Sequence, residues 1–184
     1  MHPIQLEVDY VERQSRLTTF FRYFLVLPHA IVAGLWGIPV YVVSFIAWFA
    51  ILFTGRFPLG MWEFAARWLR YSGRVNGFGA LLADGFPPFD GDAPYPIRVT
   101  TERQERLSRL TTFFRGIMMI PVVVILYFWG LVAEVVLVIA WFAILITGRM
   151  PAGMHGFLVT YERFRVRATA YALFLTDRFP SGSP

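Results

Sequence analysis

The chain has 184 residues, 57% of them hydrophobic, with a mean hydropathy of +0.54, more apolar than an ordinary soluble domain. It contains no cysteine, which excludes disulfides, thiolate metal sites and cysteine nucleophiles. The net charge is +5, and all 17 basic residues are arginine. They flank apolar segments instead of forming a separate basic domain, so anionic lipid headgroups are the expected partners and nucleic acid is not.

The first residues, His2 to Asp9, have no basic run and no apolar core of the kind a cleavable signal carries, so the first apolar stretch is expected to insert and stay. Ile4, Leu6, Val8 and Tyr10 alternate with polar residues and predict a short strand. Asp9 and Glu12 resemble a capping box and predict a helix start there, with Glu12–Arg16 and Glu105–Arg109 as i,i+4 pairs. From Tyr23 to Gly55 the 33 residues include no charge. One straight helix of that length would run about 50 Å, against a bilayer core of about 30 Å. Gly34-Leu35-Trp36-Gly37-Ile38-Pro39 reads as a turn in its middle. The expectation is therefore a helical hairpin, 17–35 and 39–54, with Trp36 and Trp129 at an interface. Thr54-Gly55-Arg56-Phe57-Pro58 stops it. Residues 59–74 then place Glu63, Arg67, Arg70 and Arg74 on one face of an interfacial helix. A Pro-, Gly- and Asp-rich linker follows, from Pro88 to Pro96.

All of this occurs twice. Arg16-Leu17-Thr18-Thr19-Phe20-Phe21-Arg22 returns as Arg109-Leu110-Thr111-Thr112-Phe113-Phe114-Arg115, and the offset of 93 holds without a gap from Pro3/Pro96 to Pro87/Pro180. Two units are expected, 1–90 and 91–184. The predicted fold is an all-α integral membrane protein of two tandem helical-hairpin repeats. It has four transmembrane helices, interfacial amphipathic helices and short N-terminal strands. If each repeat crossed once, eight arginines would lie on one side and nine on the other. Hairpins put all 17 on one side, in keeping with the positive-inside rule, with both termini in the cytoplasm.

The pieces Arg16–Arg22, Leu27-Pro28-His29, Trp48 to Pro58, Arg74-Val75-Asn76 and Asp84-Gly85-Phe86-Pro87-Pro88-Phe89 resemble a bacterial membrane family catalogued as domain of unknown function 4389. Both copies together cover nearly the whole chain. The second departs at Val122, where the first has His29, and lacks the final Pro-Phe. The resemblance implies a bacterial inner-membrane location and the repeat boundaries, and carries over no catalytic residue, cofactor or metal.

Six arginines at equivalent positions, Arg56, Arg70 and Arg74 with Arg149, Arg163 and Arg167, are the candidate lipid-headgroup ligands. For Arg56 and Arg149, in the repeated Thr-Gly-Arg element, a bidentate grip on a lipid phosphate and an ordinary snorkelling arginine at the membrane edge are equally weighted readings. Glu134, the acidic residue inside an apolar run, reads as an interfacial residue in the first turn of the returning helix, or as an intramembrane proton or ligand site. His29 reads as a packed histidine before it reads as chemistry. Asp84 and Asp177 are candidates to pair with Arg74 and Arg167. No nucleophile, phosphate-loop or zinc motif is present. The expected function is a non-enzymatic membrane scaffold or accessory module binding anionic lipid, a membrane-protein partner or a second copy of itself. The alternatives are a transporter or channel component with pseudo-two-fold symmetry and, behind it, a lipid-modifying enzyme. A polar cavity between the repeats would favour transport.

Overall fold

A computed structural model describes residues 2–89 and 93–180, so part of the linker lies outside the described residues. The elements are β1 (Ile4–Val8), α1 (Arg16–Thr54), α2 (Leu59–Gly79), β2 (Ile97–Thr101), α3 (Arg109–Thr147) and α4 (Ala152–Ala172). Each element of the second copy lies 93 residues beyond its counterpart, so the duplication is structural as well as sequential.

The predicted hairpins are corrected to single helices. α1 and α3 each run 39 residues without a break. The Gly-Leu-Trp-Gly-Ile-Pro signal fails because its glycines do not adopt a left-handed backbone; among the described residues the positive-φ glycines are Gly55 and Gly148. Gly37 serves packing instead, since a Cβ there would lie 3.4 Å from the Trp68 ring. Trp68 Nε1 also donates to the Ala33 carbonyl at 2.8 Å, a second hold on the backbone near the expected turn. Four membrane crossings therefore become two candidate spans, α1 and α3. Trp36 and Trp129 are half-buried, packed against Phe64 and Tyr71 and against Phe164.

The helix starts are also corrected. Ser15 and Ser108 are the N-caps, accepting from the Thr18 and Thr111 amides. Asp9 and Glu12 precede the helix, and Glu12 faces Arg149 at 3.7 Å instead of Arg16.

β1 and β2 pair antiparallel with Leu6 opposite Val99 at the centre. This two-stranded sheet joins the copies, and each strand lies on the other copy's helix, β1 on α4 and β2 on α2. Gly73 and Gly77 let β2 approach closely, because a Cβ at Gly77 would meet Ile97 Cδ1 at 2.5 Å. On the far face of α2, Trp68, Tyr71 and Phe78 reach α1. Neither long helix touches the sheet. The layers are thus α1 with α3, then α2 with α4, then the sheet.

α1 and α3 run antiparallel. Trp48 Nε1 donates to Thr112 O at 3.1 Å, and Trp141 Nε1 donates to Thr19 O at 3.0 Å. The two tryptophans occupy equivalent places, each at the start of the opposite copy's long helix. The core fills the space between layers, with Val40, Ala47 and Ile51 of α1, Ala140 and Ile144 of α3, and Ala65, Leu69 and Leu158 of the middle layer all buried.

Candidate functional site

The repeated Arg-Leu-Thr-Thr-Phe-Phe-Arg segment ends in a buried cation. Arg22 donates through Nη1 to Phe78 O at 2.7 Å and Ala83 O at 2.6 Å, and through Nη2 to Gln14 Oε1 at 3.1 Å. It lies 3.7 Å from Asp84 and stacks over Phe78. Arg115 repeats this with Tyr171 O and Asp177, and stacks on Tyr171 and Phe174. These side chains satisfy carbonyls left open where α2 and α4 end. Asp84 and Asp177 also accept the Ser15 and Ser108 amides. Their partners are therefore Arg22 and Arg115, not the expected Arg74 and Arg167. α2 closes through Leu82 N donating to Gly77 O and Leu81 N donating to Phe78 O, with Leu81 left-handed at φ +62°. Phe174 holds the same conformation just beyond α4.

The Thr-Gly-Arg element closes the long helices and clasps the opposite copy. Gly148 O accepts Gln14 N and Gly55 O accepts Leu107 N. Arg16 Nη2 donates to Ile146 O at 2.9 Å, capping α3. Arg56 and Arg149 stand exposed beside these junctions, at opposite ends of the antiparallel pair. Three of the other four candidate arginines reach the sheet. Arg70 donates to Thr101 Oγ1, Arg163 to Leu6 O and Arg167 to Ile4 O. Arg74 and Arg167 are buried. The six thus do not share one exposed surface. Burial lowers the affinity of the Arg167 guanidinium for its proton, and Arg163 beside it adds to that.

His29 is fully buried in an aromatic box. Its Nδ1 lies 2.8 Å from Tyr71 Oη, and its ring stacks on Phe89 at 4.2 Å and meets Phe86 edge-on at 4.4 Å. The second copy has Val122 for His29, Phe164 for Tyr71 and Gly182 for Phe89. Val122 and Phe164 there form a small apolar cluster. In the first copy, the two positions at which the copies depart, His29 and Phe89, stack on one another.

Sequence reasoning missed a largely apolar crevice of about 220 Å³, with charged groups in its wall, between the two helical layers. Arg22 and Tyr23 of α1, Asn76 of α2, Glu134 of α3, and Glu162 and Arg165 of α4 all line it. Glu134 lies well inside α3, not in the first turn of a returning helix. Glu162 is buried, and its Oε2 receives no hydrogen bond although Arg165 Nε lies 3.2 Å away. Burial pushes the Glu162 carboxyl above the usual carboxylate range, against the pull of Arg165. The first copy has Tyr41, Leu69 and Ser72 where the second has Glu134, Glu162 and Arg165. A comparison of the two halves for charge gained at equivalent positions would have found this trio. The crevice can hold a small polar group between opposite charges. Among the described residues, no cluster of three or more His, Asp or Glu is placed to hold a metal.

The model of a family described as a domain of unknown function (DUF4389) matches the chain twice, over residues 16–90 and 109–183. The chain belongs to that family. Neither a curated protein nor a solved structure matches it.

Proposed function

We propose that this DUF4389 chain is a non-enzymatic membrane scaffold or accessory module of the bacterial cytoplasmic membrane. Its termini face the cytoplasm, its exposed arginines hold anionic lipid, and its polar side is free for a protein partner. One observation carries this reading. The most apolar 18-residue window of α1 is 28% buried inside the protein, and that of α3 only 11%. A core helix of a soluble protein would be mostly covered. Here Phe24, Leu35, Phe45 and Phe53, with Ile117, Phe128 and Ile146, are exposed on an apolar surface far larger than a soluble monomer leaves open. Arg56 and Arg149 edge that surface, where each contributes about 1 kcal/mol toward an anionic headgroup layer.

The test is native mass spectrometry of the protein extracted with its lipids, at low and high salt. Replacing both Arg56 and Arg149 by Gln should lower retained anionic lipid and flatten its salt dependence, while membrane association persists. Unchanged lipid retention and salt dependence would remove the lipid-holding role. The crevice favours a second reading, a transport component, because residues of both copies line it. Ion or proton flux in proteoliposomes that is lost in Glu162→Gln would decide for it.

A further inference from the structure

We propose that α1 and α3 lie along the membrane plane within one leaflet, bedded in its acyl chains, and do not cross the bilayer. This rests on the membrane reading above and concerns how the protein sits. Length is the first argument. The uncharged run of α1 is about 50 Å, α3 has the same length with Glu134 as its one charge between Arg115 and Arg149, and a hydrocarbon core is about 30 Å. A crossing helix of this length needs extreme tilt, and α1 and α3 are tied together near both ends by the Trp48–Thr112 and Trp141–Thr19 bonds.

The second argument is the height of the sheet. Those two tryptophan bonds lie near opposite ends of the α1–α3 pair. The pseudo-two-fold axis that exchanges them passes midway along both helices. The same axis passes through the Leu6–Val99 pair at the centre of the sheet. The sheet is therefore level with the middle of α1 and α3. Its outward side chains include Glu7, Asp9 and Arg98, with side chains 59%, 57% and 51% exposed. If the long helices crossed a bilayer, this exposed charged cluster would face the hydrocarbon centre, where ionisable groups are costly. With the axis along the membrane normal the conflict disappears. The apolar layer then lies deepest, α2 and α4 lie at the headgroups, and the sheet faces water. Glu63 and Arg67, exposed on α2, fall at the level of the phosphates.

The two arrangements differ in sidedness. Leu59 and Ala152 begin α2 and α4, are both exposed, and follow opposite ends of the antiparallel pair. Crossing helices would put them on opposite sides of the membrane; in-plane helices put them on the same side. The chain has no cysteine, so Leu59→Cys and Ala152→Cys each give a single thiol for a membrane-impermeant maleimide, applied to right-side-out and inverted vesicles. Both should label from the cytoplasmic side alone. Labelling from opposite sides overturns the inference and returns the transport reading. A second measurement uses nitroxides at the exposed positions Leu27, Ile38 and Phe49 of α1. In-plane seating gives similar immersion depths, read from the ratio of collision rates with oxygen and with an aqueous nickel chelate. A ratio several-fold higher at Ile38 than at its two neighbours overturns it. A protein found only in the soluble fraction would instead refute the membrane reading itself, and this inference with it.

Discussion

Arg22→Met removes the buried cation that closes the C-terminal end of α2. The replacement keeps much of the length and apolar volume, so the loss is chiefly polar. Three acceptors lose a donor: Phe78 O, Ala83 O and Gln14 Oε1. A buried group left unpaired costs about 1–3 kcal/mol, and breaking a buried ionic arrangement from one side typically costs about 3–5 kcal/mol. Gln14 has a second hold through Nε2 on Leu81 O, so the side chain is not wholly released. A loss of about 4 kcal/mol follows. For a chain of this size, that lowers the midpoint by roughly 8–16 °C. Arg16→Gln is the control, since Arg16 is exposed and makes one cap contact; it should cost about 0.3–1 kcal/mol. Apparent thermal midpoints in one mild detergent, followed by circular dichroism, measure both. If Arg22→Met melts within 2 °C of Arg16→Gln, roughly the shift that the control itself predicts, buried carbonyl capping does not stabilise the fold.

Gly55→Ala and Gly148→Ala each place a side chain at φ near +70° with no atom closer than 3.6 Å. Each should cost about 1 kcal/mol, from the backbone alone, and the pair should add when midpoints are compared. His29→Val and Phe89→Gly should be non-additive, with a coupling of about 0.5–2 kcal/mol in a double-mutant cycle, because each ring is the other's packing partner. For Glu162, burial raises the folded-state pKa, so the folded protein binds the proton more tightly than the unfolded chain. Stability should therefore fall as pH rises from the ordinary carboxylate range through the raised pKa. Glu162→Gln should remove that slope in midpoints measured from pH 4 to 8; an identical slope in the variant would assign it elsewhere.

The strands, the amphipathic helix from Leu59 and the 93-residue symmetry are all legible, because period-two alternation and a polar stripe are local signals and the repetition runs without a gap. The hairpin was misread because Gly37 and Pro39 look the same in a turn and in a packed helix; contact with Trp68 decides between them, and that contact is 31 residues away. A warning was available in the second copy, which has Val132 in place of Pro39 and Tyr127 in place of Gly34. Arg22 looked like a flanking membrane arginine, since nothing in its own neighbourhood announces carbonyls 56 and 61 residues ahead. The crevice was invisible for a related reason: Glu134 was read alone, and Glu162 was hidden in a helix taken to be interfacial.

The strand exchange bears on how the chain arose. β1 lies on α4 and β2 on α2, and Gln14 and Leu107 bind the glycine carbonyl of the opposite copy. A lone copy would leave its strand unpaired and its amphipathic helix without a cover. A polypeptide carrying one such unit would have to find a twin, so the expected ancestor is an obligate homodimer whose single gene was duplicated and fused. The linker would then add proximity to an interface that already existed. Once fused, the halves no longer had to be identical, and the charges at Glu134, Glu162 and Arg165 are of a kind that only a chain freed from self-symmetry can carry on one side alone.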